Sequence, residues 1–280
     1  MLQGRILKGV GGNYHVATLN GVEVCKPRGI FRKDGITPLV GDFVEIDAGV
    51  IQAILPRKSE LARPKVANVD QVLVVCAILP AVNLPVLDAF LVLCEEQGVD
   101  AVVCLNKIDI GDQDEIEEIL KPYQMAGYKT LAISAQTGAG IDTLHQVFQG
   151  KTTILAGASG VGKSSILNAL SPSLALEVGD LSQKIARGKH TTRHTSLIEI
   201  AKNSYVVDSP GFTSLTIDHI PKMELQHYFR EFENHKHNCQ FRGCIHVEQQ
   251  GCDIIANVGK SIHPKRYERY AKMIQMLKEN

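Results

Sequence analysis

The stretch GASGVGKS, Gly157 to Ser164, constrains the fold more than any other part of this chain. It fits the pattern G-x-x-x-x-G-K-S/T and sits between the apolar run TTILA and the helix-like SSILNAL. A strand that hands over to a helix through such a glycine turn presents backbone N–H groups to an anion, and the helix N-terminus adds partial positive charge. Lys163 is placed to reach the β- and γ-phosphates of a nucleotide, and Ser164 to hold Mg²⁺. The candidate nucleotide contacts on this loop are Gly157, Ala158, Ser159, Gly160, Val161, Gly162, Lys163, Ser164 and Ser165. In an ordinary P-loop nucleotidase this loop follows the first strand, yet here it begins past the midpoint of 280 residues.

What precedes it changes texture once. Residues 1–60 carry turn signals at Gly11-Gly12, Asn20-Gly21, Asp34-Gly35 and Gly41-Asp42, with strand-like VATL, VEVC, DFVEI and VIQAIL among them. About five short strands predict a small barrel, SH3-like or OB-like, serving either stability or nucleic-acid binding. PRKSELARPK (56–65) is polar, basic and proline-flanked, and reads as a linker. From residue 69 apolar strands alternate with helical periods: VDQVLVVCAIL, LPVLDAFLVLCEEQG, AVVCLN, DQDEIEEILKPYQMAG, TLAIS, IDTLHQVFQG and TTILAG. That alternation predicts a doubly wound α/β domain. After SSILNAL comes a polar stretch to about His194, then the strands TSLIEIA and SYVVDS; beyond Gly211, residues 221–280 read as helix, metal loop, helix.

Charge and apolar content narrow the function classes. With 30 basic and 30 acidic side chains the net charge is zero, so any nucleic-acid contact must use local patches. The N-terminus lacks an apolar signal region, and VLVVCAIL (72–79) and VLDAFLVLC (86–94) are too short to span a bilayer, so a cytoplasmic protein is expected. Cys239, Cys244 and Cys252 crowd around His246, which argues for metal rather than disulfides. The set Cys239-x₄-Cys244-x-His246-x₅-Cys252 offers three thiolates and one imidazole, a closed structural set for Zn²⁺ with no open position for catalysis. His237 is a rival imidazole.

A P-loop does not choose its base, and kinase, ATPase and GTPase stay open on that stretch alone. NKID, Asn106 to Asp109, decides between them. The Asp109 carboxylate can accept from the guanine N1–H and 2-amino group, and adenine offers neither donor; sites built this way reject the wrong partner by roughly 10⁴–10⁵. Lys107 would pack along the base plane, Asn106 would tie this loop to the P-loop, and Ile108 counts with them among the candidate nucleotide contacts. Ser134-Ala135 follows the next strand, as the guanine-contacting loop of GTPases does. DSPG (208–211) supplies Asp208 near Mg²⁺ and the Gly211 N–H near the γ-phosphate, and Thr191-Thr192 falls where a switch threonine belongs. The usual order runs P-loop, switch, DxxG, NKxD, SA; this chain runs NKID, SA, P-loop, TT, DSPG. The cyclic order is intact, so the domain is circularly permuted, joined through IDTLHQVFQGK (141–151).

On GRILKGVGGNYHV, RPKVANVDQVLVV, LNKIDI, GASGVGKSSILNAL, RGKHTTRHT, DSPGF and CQFRGCIHVEQQGC, the chain resembles the ribosome small-subunit-dependent GTPase A family. The resemblance implies a multidomain protein: an OB-like barrel over 1–60, a circularly permuted GTPase domain over 61–215 and an α-helical zinc domain over 216–280. It implies GTP/GDP, Mg²⁺ and one structural Zn²⁺ on Cys239, Cys244, His246 and Cys252. The implied partners are the 30S ribosomal subunit and its rRNA, bound by a monomer whose subunit-stimulated hydrolysis times its release during late maturation. The tail from Gly259 holds six Lys/Arg against two Glu, with Tyr267 and Tyr270 interleaved, a mix suited to RNA. Phe212 occupies the place where many GTPases carry a water-orienting glutamine, so His190 or His194 is the candidate to supply that group.

Overall fold

The computed structural model describes residues 1–33, 35–174, 195–208 and 216–277. In chain order its strands and helices begin with β1 (Leu2–Val10), β2 (Asn13–Thr18), β3 (Gly21–Pro27), α1 (Gly29–Lys33), β4 (Phe43–Asp47), β5 (Val50–Ile54), β6 (Glu60–Ala62) and β7 (Lys65–Ala67). There follow β8 (Gln71–Ala77), α2 (Leu84–Glu96), β9 (Asp100–Asn106), α3 (Gln113–Met125), β10 (Lys129–Ala132), α4 (Ile141–Phe148) and β11 (Thr152–Ala156). The rest are α5 (Lys163–Leu170), β12 (Ser196–Ala201), β13 (Ser204–Asp208), α6 (Asp253–Ala256) and α7 (Pro264–Met276). Two compact units result: residues 1–71, 142–155 and 163–213 form the first, and residues 72–141, 156–162 and 214–280 the second.

In the first unit, β1, β2 and β3 run antiparallel, β3 pairs parallel with β5, β5 pairs with β4, and β4 returns to β1. The ring is a closed five-stranded barrel with OB-like connectivity. Closure leaves no free edge, and Ile6, Val16, Cys25, Val44, Ile46 and Ile51, each at most 2% exposed, fill the interior. Two reversals use positive φ at both central residues, Gly11-Gly12 and Ala48-Gly49, as tight hairpins of right-handed strands require. β1 also pairs with β12 at Lys8–Ser196, β12 runs antiparallel to β13, and β13 runs parallel to β11.

The expected linker at 56–65 is instead built into this unit. β6 and β7 form a hairpin that buries Leu61 and Val66. Arg57 places its guanidinium on the fully buried Asp42 carboxylate at 2.7 and 2.8 Å, and Asp42 also accepts from the Leu39 N–H. Strands of three residues are too short to show a period, so the polar composition of the segment concealed them.

In the second unit the strand order is β10-β9-β8, with β9 and β10 parallel. Every residue of β8 is buried. α2 starts on Asn83, whose side chain accepts from Val86 N, with Pro85 in the first turn where a missing N–H costs nothing. Its buried residues include one charge, Asp88. On α7, Arg266, Arg269, Tyr270, Met273 and Ile274 are buried at helical spacing. Both arginines bond Asp88, and Arg266 also donates to Glu231 at 2.7 Å.

The helix expected from residue 221 is replaced by short 3-10 turns at Leu225–Tyr228, Arg230–Phe232 and Lys236–Asn238. An extended Phe229 separates the first two, so that Leu225, Phe229 and Phe232 all enter one core with Val92, Leu93, Ile254, Tyr270 and Met273. Their i, i+4, i+7 spacing is that of one helical face, which is why the segment reads as a helix in sequence.

Candidate functional site

The glycine loop is tight at two points. Gly157 has φ +139°, and a Cβ there would lie 2.2 Å from Val75 O. Gly162 has φ +96°, and a Cβ there would lie 2.3 Å from Asn106 Nδ2. Only glycine fits either place. Ala158, Ser159 and Gly160 stand exposed at the crest, and Val161 is buried.

Asn106, at the end of β9 and 2% exposed, bonds in two directions. Its Nδ2 donates to Val161 O at 2.9 Å, and its Oδ1 accepts from Ala135 N at 3.1 Å. One side chain thus joins the glycine loop, the NKID turn and the Ser134-Ala135 loop. Lys107 takes a left-handed backbone, φ 62°, and its Nζ donates to Leu79 O at 2.6 Å and Gly160 O at 2.9 Å. Ile108 is half-buried and opens the 3-10 turn that leaves Asp109 exposed. Ser134 is fully buried and its hydroxyl accepts from Thr137 N, which fixes the shape of its loop. The Ala135 N–H, expected among the guanine-facing groups, is engaged by Asn106.

Lys163 and Ser164 continue the same backbone as the opening residues of α5, with Ser164 buried and Ser165 half-buried. Burial lowers the Lys163 ammonium below its ordinary pKa, and burial raises the Asp208 carboxyl, at the end of β13, above the usual range. Each charge is partly desolvated, a state that counter-charge relieves. Thr191, Thr192, His190 and Gly211, with His194 and Phe212, lie outside the described residues.

Cys239, Cys244, His246 and Cys252 bring their ligand atoms within 4.8 Å of one another. Cys239 Sγ and Cys252 Sγ are 3.9 Å apart, and His246 Nδ1 lies 3.5 and 3.4 Å from them. A tetrahedral zinc with ordinary Zn–S and Zn–N bonds requires S···S near ~3.8 Å and S···N near ~3.6 Å, so the residues fit that ion. His246 Nε2 lies 2.7 Å from Gln226 Oε1, which would fix the tautomer that leaves Nδ1 for a metal. Burial lowers the His246 imidazole to about 4 and pushes the Cys252 thiol up to about 12. A neutral imidazole is ready to ligate, and such a thiol ionises only with a cation beside it. His237, with 73% of its side chain exposed, stands outside the four.

Part of the basic tail is turned inward: Lys260, Lys265 and Lys272 are exposed, but the two arginines and Tyr270 are not. Arg266 and Arg269 are buried on Asp88, Lys265 pairs with Glu118, and Tyr270 is fully buried. The Tyr267 hydroxyl donates to His246 O and that of Tyr270 to Ile245 O, both at 2.9 Å. These groups hold the metal loop in place. The residues that sequence reading missed are their partners, Asp88 and Glu231; the signal for Asp88 was a single carboxylate inside the apolar run LPVLDAFLVL.

A closed barrel followed by the NKID and Ser134-Ala135 loops, which precede the glycine loop in the chain and are tied to it, defines a circularly permuted GTPase, an enzyme that hydrolyses GTP. The family description RsgA GTPase matches residues 54–218, and RsgA N-terminal domain matches residues 3–50. The chain belongs to the RsgA GTPase family. It is 44% identical over its whole length to 99% of a small ribosomal subunit biogenesis GTPase RsgA of Alkaliphilus metalliredigens. It is also 44% identical, over 99% of itself and 96% of the relative, to the protein of that name from Caldanaerobacter subterraneus subsp. tengcongensis. Among solved structures it is similar to YjeQ from Thermotoga maritima, with TM-score 0.85 and 36% identity over 99% of this chain and 98% of that one. It is likewise similar to YloQ, described as a circularly permuted GTPase, with TM-score 0.79 and 34% identity over 98% and 94%. Among the described residues no helix is long and apolar enough to cross a membrane.

Proposed function

We propose that this GTPase acts in biogenesis of the small ribosomal subunit, as its relatives are named to do, by binding the 30S particle and its rRNA as a cytoplasmic monomer. Hydrolysis is stimulated by the subunit and times release. In this reading Asp109 selects guanine, Lys163 holds the β- and γ-phosphates, and Ser164 and Asp208 hold Mg²⁺, which offsets phosphate charge. Thr191, Thr192 and Gly211 sense the γ-phosphate, and His190 supplies the water-orienting group that Phe212 cannot. Cys239, Cys244, His246 and Cys252 hold one structural Zn²⁺. The domains divide at 1–60, 61–215 and 216–280.

The observation that carries the nucleotide part is the pair of hydrogen bonds of the Asn106 side chain, donated to Val161 O and accepted from Ala135 N, which supports a base-reading loop preset against the phosphate loop. The test is GTP turnover measured with and without purified 30S subunits. Acceleration by the subunit, lost in Ser164→Ala, is expected. Equal turnover with and without subunits would refute stimulation, and failure to co-sediment with 30S would refute the partner.

A further inference from the structure

We propose that the cavity beside the Cys239–Cys244 loop takes one unpaired nucleotide of RNA, its base stacked on Phe241 and its phosphate held by Arg242. The inference deepens the small-subunit reading and rests on it.

The cavity measures about 460 Å³; it is lined by Cys239 and Cys244 of the metal loop and by Gln226, His227, Phe241 and Arg242 among others, with no carboxylate in its wall. That size suits a small ligand such as a nucleotide. Lys236 Nζ is held at 2.6 Å by Glu233 and at 3.1 Å by His227 Nδ1, and its side chain is only 8% exposed, so it shapes the wall and leaves Arg242 to meet a phosphate. Glu233 also lies 3.9 Å from His237 Nε2. Arg242 is exposed and makes no ion pair among the described residues. Beside it Phe241 is 55% exposed, on a turn closed by Gly243 at φ +74°.

An exposed phenyl ring next to a guanidinium with no ion pair among the described residues, at the mouth of a cavity whose wall holds no carboxylate, matches a base and its phosphate. Every base offers a π face to an aromatic ring, whatever the sequence. An acidic peptide would satisfy Arg242 but gain nothing from Phe241, and a duplex hides its bases. The tail arginines are not available for such a contact, because Arg266 and Arg269 are buried on Asp88.

The test uses the full chain with its zinc content measured. Binding of a short unstructured, fluorescently labelled RNA is followed by anisotropy, against an RNA duplex and a polyglutamate competitor. Phe241→Ala and Phe241→Leu should each weaken single-strand binding roughly 5- to 100-fold, while Phe241→Tyr retains it. Arg242→Ala should lower the salt dependence of log K by about one. Equal zinc content and melting temperature across the variants show that the unit is folded, and Phe241→Leu serves if the alanine variant loses zinc. Unchanged RNA affinity in Phe241→Leu overturns the proposal. Duplex binding as tight as single-strand binding, or displacement by polyglutamate at matched charge, also overturns it, the latter in favour of an acidic protein partner. Co-sedimentation with 30S separates the two readings. A wild-type chain that co-sediments while its Phe241 variants bind RNA normally sinks only this nucleotide site; a wild-type chain that never co-sediments sinks the small-subunit reading.

Discussion

Asn106→Ala should damage both stability and nucleotide affinity, by amounts that can be worked out from its two bonds. The first leaves Val161 O without its partner in a buried place, which costs about 1–3 kcal/mol. The second leaves Ala135 N unpaired, but Ala135 is half-buried and water can replace part of that bond, at about 0.5–1.5 kcal/mol. Together the loss is about 2–4 kcal/mol. If these bonds preset the loops before GTP arrives, an affinity loss of the same size follows, roughly 30- to 1,000-fold. Titration with a fluorescent GTP analogue reads the affinity, and urea unfolding of the nucleotide-free chain reads the stability.

Two companions separate position from mere stability. Asn106→Asp keeps an acceptor for Ala135 N but turns a charged oxygen toward Val161 O, so it should bind GTP no better than the alanine variant. Gly162→Ala would place a Cβ 2.3 Å from Asn106 Nδ2, and its cost should shrink in the Asn106→Ala background because the obstructing amide is gone. Stability lost with GTP affinity unchanged to within about threefold would refute presetting and leave Asn106 a structural tie.

Other expectations are as direct. Asp109→Asn should move preference from GTP toward XTP, since an amide can donate where the carboxylate accepted; an unchanged ratio of the two affinities removes Asp109 as base reader. Chelation, or Cys244→Ala, should unfold the stretch from about 225 to 262, because apparent zinc affinity of about 10–16 kcal/mol exceeds what its 3-10 turns can supply; hydrogen exchange should show the loss there while GTP binding survives. Arg57→Ala should cost about 3 kcal/mol, the lower end for a broken buried pair, because Asp42 is fully buried and Arg57 is partly wet; a melting temperature equal to wild type would contradict it. His190→Ala should reduce 30S-stimulated turnover and spare GTP affinity, and full stimulated turnover in that variant points to the subunit as the source of the water-orienting group.

The parts legible in the sequence were those written in local pattern. Alternating apolar runs marked β8, β9 and β11 because buried parallel strands are apolar on both faces. Gly157 and Gly162 were legible because close backbone approach demands glycine whatever the rest of the fold does. The cluster of Cys239, Cys244, His246 and Cys252 was legible because thiols and imidazole in so short a span have few uses other than metal. What stayed hidden was tertiary. Composition counted Arg266 and Arg269 as tail charge, and only the fold shows Asp88, some 180 positions away, lying between them. The same holds for Arg57, whose partner Asp42 is a turn residue to any local reading. The stretch after 221 looked helical because its apolar residues recur at near-helical spacing; the backbone breaks at the extended Phe229, and Phe229 and Phe232 pack around Tyr270 at 4.9 and 4.7 Å.

Circular permutation places its physical demand on one connection, the segment that joins the Ser134-Ala135 loop to β11. A flexible joint would close the ring at an entropic cost that grows only slowly with length. This one is ordered instead. α4 buries Leu144, Val147 and Phe148 along one face. Gln71 donates to Val147 O at 2.8 Å and to Thr153 Oγ1 at 2.9 Å, and Lys151 Nζ returns to Gln71 Oε1. Gly150 N donates to Ser204 Oγ, and Tyr205 N to Lys151 O. Asp70, at the hand-over from the barrel segment, accepts from Thr152 N at 2.8 Å and donates its own N–H to Thr152 O. The new joint and the new chain entry are therefore bonded to each other at the foot of β11, the strand that carries the phosphate loop. That arrangement explains why the loop tolerates a late position in the chain: its strand is fixed at the base by the segments that the permutation created.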